Sequence, residues 1–211
     1  MRFETVLSMP SGGANNRVVD VTLPKTLNAR VEVVNVRNAC SLEQYAEERC
    51  PISVGTATAV TPLLREPLVG RVFLVRNPAR RLPDMMVRLK GQGDARLVEV
   101  DLVGFITIRR DLTVRTRFAS VPDVPIREFR LSLVAGRNAP VAAVRPLCQA
   151  RFRRQTVARL GFTAQNGKRI VRNQPIQVLG CRTRRASRAT ARKAAGKRAA
   201  GKHPKRAHRH R

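Results

Sequence analysis

Short β-type runs, broken at close intervals by proline and glycine, constrain this chain most. Alternating or β-branched stretches occupy residues 2–9, 17–23, 30–36, 54–61, 69–75, 85–89, 96–101, 105–109, 113–118, 129–134, 156–163 and 169–179. Turn residues separate them: Pro10 to Gly13, Pro62, Pro67, Asn77-Pro78, Gly91 to Asp94, Pro122 to Pro125, Gly136 to Asn138 and Asn166-Gly167. A dozen short strands with such turns predict an all-β protein of antiparallel sandwich type. Asn166-Gly167, set between two alternating runs, predicts a hairpin with a type I′ turn. The one helical signal spans 41–49, where Ser41 is placed to cap and Gln44 to complete a capping box.

Charge divides the chain unevenly. The whole carries 42 Lys+Arg against 14 Asp+Glu, a net charge of +28. The last acidic residue is Glu128, and the 23 Lys+Arg beyond it meet no carboxylate. Residues 182–211 hold 13 of those cations and, Pro204 aside, no apolar side chain larger than alanine. Such a segment cannot bury enough apolar surface to offset the entropy of ordering, so it reads as a disordered basic tail. The expected partner is a polyanion: an acidic wall polymer, nucleic acid or an anionic membrane face. The contacting residues would be Arg182, Arg184, Arg185, Arg188, Arg192, Lys193, Lys197, Arg198, Lys202, Lys205 and Arg206. A solvated tail with no dedicated partner is the plainer alternative. The body's preference for arginine over lysine fits codon bias equally well.

The organisation expected is two small sandwich-like units, 1–110 and 111–181, followed by the tail at 182–211. An internal parallel supports two units. Pro10, Val19 and Cys40 sit in contexts resembling those of Pro122, Phe129 and Cys148, at offsets of 112, 110 and 108 residues.

The four cysteines, Cys40, Cys50, Cys148 and Cys181, form two local pairs with spacings C-x9-C and C-x32-C. Neither spacing suits zinc, and all three histidines (His203, His208, His210) lie in the tail, so no metal site is expected. An even count in local pairs predicts disulfides Cys40–Cys50 and Cys148–Cys181, and with them an oxidising compartment. The N-terminus starts in a strand with no signal-peptide pattern. That leaves three readings: reduced thiols in the cytoplasm, a piece of a longer exported protein, or a misplaced start.

No catalytic residue and no cofactor is expected. The body has no histidine to act as a general base. Its carboxylates (among them Glu43, Glu47, Glu48, Asp94, Glu99, Asp101 and Asp111) read as solvated surface. Gly91 to Asp94 lacks the Lys-Ser/Thr of a phosphate loop. One tyrosine and no tryptophan count against base-stacking modules. No run is long and apolar enough to span a membrane as a helix. Oligomeric state is not legible.

Several motifs carry a resemblance. Residues 40–57 read C-x9-C-P-x-S-x-G-x-A, and 118–133 read F-x-x-V-P-D-x-P-x-x-x-F-x-L-x-L. Further on come Leu147-Cys148 and the run from Phe162 to Gly167. Together, over about residues 2–181, the chain resembles uncharacterised exported β-repeat proteins of high-GC actinobacteria. The resemblance implies export, paired cysteines and a surface or envelope location. The function expected is a non-enzymatic structural or adhesive module whose tail binds polyanions non-specifically. The alternative is a non-specific nucleic-acid-binding protein acting through that tail.

Overall fold

The computed structural model describes residues 1–10, 12–37, 39–93 and 96–181. Among these residues the fold is all-β with two short helices. Its elements are β1 (Phe3–Ser8), β2 (Asn16–Thr22), β3 (Leu27–Ala29), α1 (Leu42–Ala46), β4 (Gly55–Val60), β5 (Leu68–Val75), β6 (Asp84–Gln92), β7 (Leu97–Ile108), β8 (Val114–Phe118), β9 (Glu128–Leu133), β10 (Val141–Ala143), α2 (Ala150–Gln155), β11 (Val157–Ala164) and β12 (Arg169–Pro175). Ten strands form one antiparallel sheet in the order β1-β9-β4-β5-β6-β7-β8-β2-β11-β12, while β3 pairs with β10 separately.

This order cannot be flat. Ser8 ends β1 at one edge, and Asn16 begins β2 seven strand positions away. Seven strand spacings are about 34 Å, whereas eight residues of extended chain reach about 28 Å at most. The sheet therefore curls. At Gly70 in β5 a Cβ would stand 1.8 Å from the Arg88 carbonyl oxygen of β6, so only glycine fits that close approach.

Period-two alternation sorts the two faces. The inner face gathers Ala57 and Ala59 of β4, Val72 and Leu74 of β5, Val87 and Leu89 of β6, Ile106 of β7, and Leu131 and Leu133 of β9 into one core, joined by Leu27 and Val141 of the small sheet. A second, smaller core lies outside, where Cys40, Tyr45 and Cys50 pack on Val75, Met86, Phe73 and Val103.

The pairings follow a two-fold pattern. β1 lies against β9 with Leu7 opposite Phe129 and Thr5 opposite Leu131. β8 lies against β2 with Phe118 opposite Val19 and Thr116 opposite Val21. β4 pairs with β9 and β5, and β11 pairs with β2 and β12. β3 and β10 pair with each other about Asn28 and Ala142. Exchanging β1 with β8, β2 with β9, β3 with β10, α1 with α2, β4 with β11 and β5 with β12 leaves this pairing scheme unchanged. Only β6 and β7 have no counterpart; they bridge β5 to β8.

Several expectations are corrected. The boundary at 110/111 is not a unit boundary: β1 pairs with β9 and β2 with both β8 and β11, so strands from 1–110 and 111–181 interleave within one compact unit, Met1–Gln177. A single curled sheet around a shared core replaces two sandwiches. Residues 31–37 turn instead of extending, and the neighbours Val33 and Val34 are both buried, which alternation in a strand forbids. The stretches 96–101 and 105–109 join into the single long strand β7. A second helix, α2, was not expected; it has no side-chain cap and buries no residue, so it left no sequence signal. The hairpin forms at Asn166-Gly167, but only Gly167 has positive φ, +83°. The Gly167 N–H donates to the Ala164 carbonyl and the Ala164 N–H to the Lys168 carbonyl. This is a three-residue loop with glycine at the left-handed position, not a type I′ turn. The tail at 182–211 lies outside the described residues.

Candidate functional site

Three features of the body are candidates for a site. The first is the clamp over the outer face of β5, β6 and β7. Cys40 and Cys50 form a disulfide with a Cα separation of 5.4 Å. The Cys40 N–H donates to the Leu74 carbonyl, tying the clamp's base to β5. The Ser41 hydroxyl accepts from the Gln44 N–H, and the Gln44 side chain accepts in return from the Ser41 N–H, the full capping box. Glu48 closes α1 with φ of +57°, a position glycine usually holds.

Tyr45 hangs from that helix, 4% exposed, edge-on to Phe73. Its hydroxyl donates to Asp101 Oδ1 at 2.7 Å. Arg88 donates to both carboxylate oxygens of Asp101, at 3.0 and 2.9 Å, and its guanidinium lies 4.4 Å over the Tyr45 ring. Lys90 pairs with Glu48 and Glu99. Burial, then the hydrogen bond to Asp101, pushes the Tyr45 hydroxyl well above its ordinary value. Burial alone would raise Asp101, but hydrogen bonds from Arg88 and Tyr45 outweigh it and hold the carboxyl below its usual range. A phenol held protonated and a carboxylate held ionised by a bidentate arginine do not exchange protons near neutral pH. The cluster fastens the clamp to the sheet.

The second feature is a row of arginines on the outer face of β8, β2, β11 and β12. Asp20 takes Arg115 at 2.6 Å and Arg117 at 2.9 Å. Thr22 stands between Arg115 and Arg159, and Arg169 lies opposite Thr163 on the same face. Four arginines thus share this face with one carboxylate.

The third is a cleft of about 710 Å³ between the two edges of the sheet, lined by Leu7 and Ser8 of β1, Phe162 and Ala164 of β11, and Ile170 and Arg172 of β12.

The predicted site residues fall as follows. Cys40 and Cys50 pair as expected. Cys148 and Cys181 are also disulfide-bonded, and no described cysteine is free. The cationic set Arg182, Arg184, Arg185, Arg188, Arg192, Lys193, Lys197, Arg198, Lys202, Lys205 and Arg206, together with the three histidines, lies outside the described residues. Asp94 does too. The carboxylates read as solvated surface are largely ion-paired: Glu47 with Arg49, Glu48 with Lys90, Glu99 and Asp101 with Arg88. Asp111 accepts from the Thr113 hydroxyl, which lowers its carboxyl below the ordinary value. Among the described residues no group of acidic, cysteine or histidine side chains is arranged to hold a metal, and no helix is long and apolar enough to cross a membrane. Neither the Tyr45–Arg88–Asp101 cluster nor the edge cleft was expected. Both join residues far apart in the chain, and no local pattern announces them. No family model, no curated protein and no solved structure matches this chain.

Proposed function

We propose that this protein is a non-enzymatic structural or adhesive module of the cell envelope that holds polyanions. One observation carries the reading: the outer face of β8, β2, β11 and β12 presents Arg115, Arg117, Arg159 and Arg169 against Asp20 alone. Cations repeated at strand spacing suit a polymer with regularly placed negative charges. The 13 Lys+Arg of residues 182–211 add to the same attraction. The disulfides fit an oxidising compartment. The ion-paired carboxylates and the buried, protonated Tyr45 support a scaffold in preference to an enzyme.

The test is retention of the full chain on cell-wall sacculi and on duplex DNA across a salt gradient. Retention should fall steeply with salt, because neutralising each phosphate or carboxylate releases counterions. Removing 182–211 while keeping Cys181, or making Arg159→Glu with Arg169→Glu, should each flatten that slope on wall material. If DNA is held and wall material is not, the nucleic-acid alternative replaces this reading. Salt-independent retention would end both.

A further inference from the structure

The two-fold pattern of pairing is broken in one place. β6 and β7 bridge β5 to β8, whereas the corresponding place between β12 and β1 holds no strand among the described residues. β12 and β1 are therefore both edges, and the 710 Å³ cleft lies between them.

Matching positions measure the vacancy. Leu68 of β5, covered by β6, is 3% exposed; its counterpart in β12, Ile170, is 43% exposed. Ala59 of β4 is wholly buried, while its counterpart in β11, Phe162, lines the open cleft. Apolar side chains thus face inward from the sheet partly uncovered, beside a backbone edge that pairs with β11 alone among the described residues. That is the arrangement by which a sheet takes up an added strand.

Charge selects the occupant. The described residues lining the cleft include Arg127, Lys168 and Arg172 and no carboxylate. A second copy of this chain would bring the same cations to β12, and residues 182–211 are more cationic still. We propose that the cleft receives an extended acidic segment of a partner protein, which pairs with β12 as β6 pairs with β5, its apolar side chains covering Phe162 and Ile170 and its carboxylates meeting Arg172 and Lys168. Binding through backbone pairing at this edge does not depend on the polyanion reading and is separable from it.

The probe is a labelled peptide of Glu-Thr-Val-Thr repeats, whose Glu and Val share the face turned to Lys168, Ile170 and Arg172, titrated into the full chain at moderate salt. Its controls are the matching Lys/Val peptide, with Lys in place of each Glu, and the Glu/Val peptide N-methylated at alternate residues on one edge or the other. The Glu/Val peptide should bind at least about tenfold more tightly than either the Lys/Val peptide or the weaker of the two methylated peptides. Amide resonances of Arg169–Gln174 and Phe3–Ser8 should shift on binding. Arg172→Glu should weaken binding about tenfold, and Ile170→Lys should do so independently. Equal binding of all methylated and unmethylated acidic peptides would overturn the proposal, as would shifts confined to residues 182–211. Concentration-dependent pairing of the chain with itself through β12 would also overturn it, in favour of a second copy.

Discussion

The half built from β1, β2, α1, β4 and β5 and the half built from β8, β9, α2, β11 and β12 share one pairing scheme but differ in what covers them. β5 has β6 beside it and α1 on its outer face; all seven residues of β12 are exposed. α1 is capped, clamped by a disulfide and inserts Tyr45; α2 lacks a side-chain cap and buries no residue. Equivalent strand positions therefore carry different energetic weight. Topology alone does not make a strand part of the core; a neighbour on each side and a cover do.

The largest expected effect tests that difference directly. Leu68→Ala removes a side chain from a site that cannot collapse and should cost about 2–5 kcal/mol. Ile170→Ala, at the matching exposed position, should cost below about 1 kcal/mol. Chemical denaturation of both variants reads the comparison, and equal losses would show that β5 and β12 are covered alike in solution.

The clamp comes next. Replacing Cys40 and Cys50 together by serine should destabilise the protein by about 3 kcal/mol on the loop-closure account. The same variant should release Tyr45, the only tyrosine in a chain without tryptophan, so phenolate absorbance reports one residue. In the parent protein the folded-state pKa of Tyr45 is raised. Its stabilising contribution is thus complete below the unfolded value of about 10 and fades as pH rises beyond it. Phenolate should form only at higher pH than in a free tyrosine, and should return toward the ordinary range once the clamp is cut. Ordinary titration in the parent would deny that α1 is fastened more firmly than α2.

The smallest effect concerns two loops of the same construction. In the β7–β8 turn the Leu112 N–H donates to the Arg109 carbonyl and the Arg109 N–H to the Thr113 carbonyl, repeating the bonds of the β11–β12 turn. There the left-handed position is Gly167; here it is Leu112, with φ of +65° and 67% exposure. Leu112→Gly should stabilise by about 0.5–1 kcal/mol, since relief of the backbone strain exceeds glycine's extra freedom in the unfolded chain. A lower Tm for that variant would show that Leu112 makes contacts worth more than the strain.

Local signals in the sequence matched local structure. Ser41 and Gln44 announced the capping box, alternation announced most strands, and Asn166-Gly167 announced a hairpin though not its type. The sequence also held a parallel between the contexts of Pro10, Val19 and Cys40 and those of Pro122, Phe129 and Cys148. It did not reveal that the strands are exchanged between halves, because which strand lies beside which is decided by distant partners. The same limit hid the clamp's polar cluster: Tyr45, Arg88 and Asp101 lie on three elements, and each alone reads as an ordinary surface residue. The edge cleft was illegible for a further reason. It depends on β6 and β7 having no counterpart between β12 and β1 among the described residues, and period-two patterning gives a strand's faces but not its neighbours.

The exchange of strands has a consequence in time. Arg2 meets Ser132 across a separation of 130 residues, and among the described residues β1 pairs with β9 alone. As the chain leaves the ribosome, Phe3 and Leu7 wait uncovered until β9 has been made. Neither residues 1–110 nor 111–181 can complete a sheet alone, so folding is a late, collective event dominated by distant contacts, and slow for that reason. Until it happens, a nascent chain with bare apolar strands is open to aggregation. Its abundant cations, a burden for self-pairing, then serve to keep such chains apart.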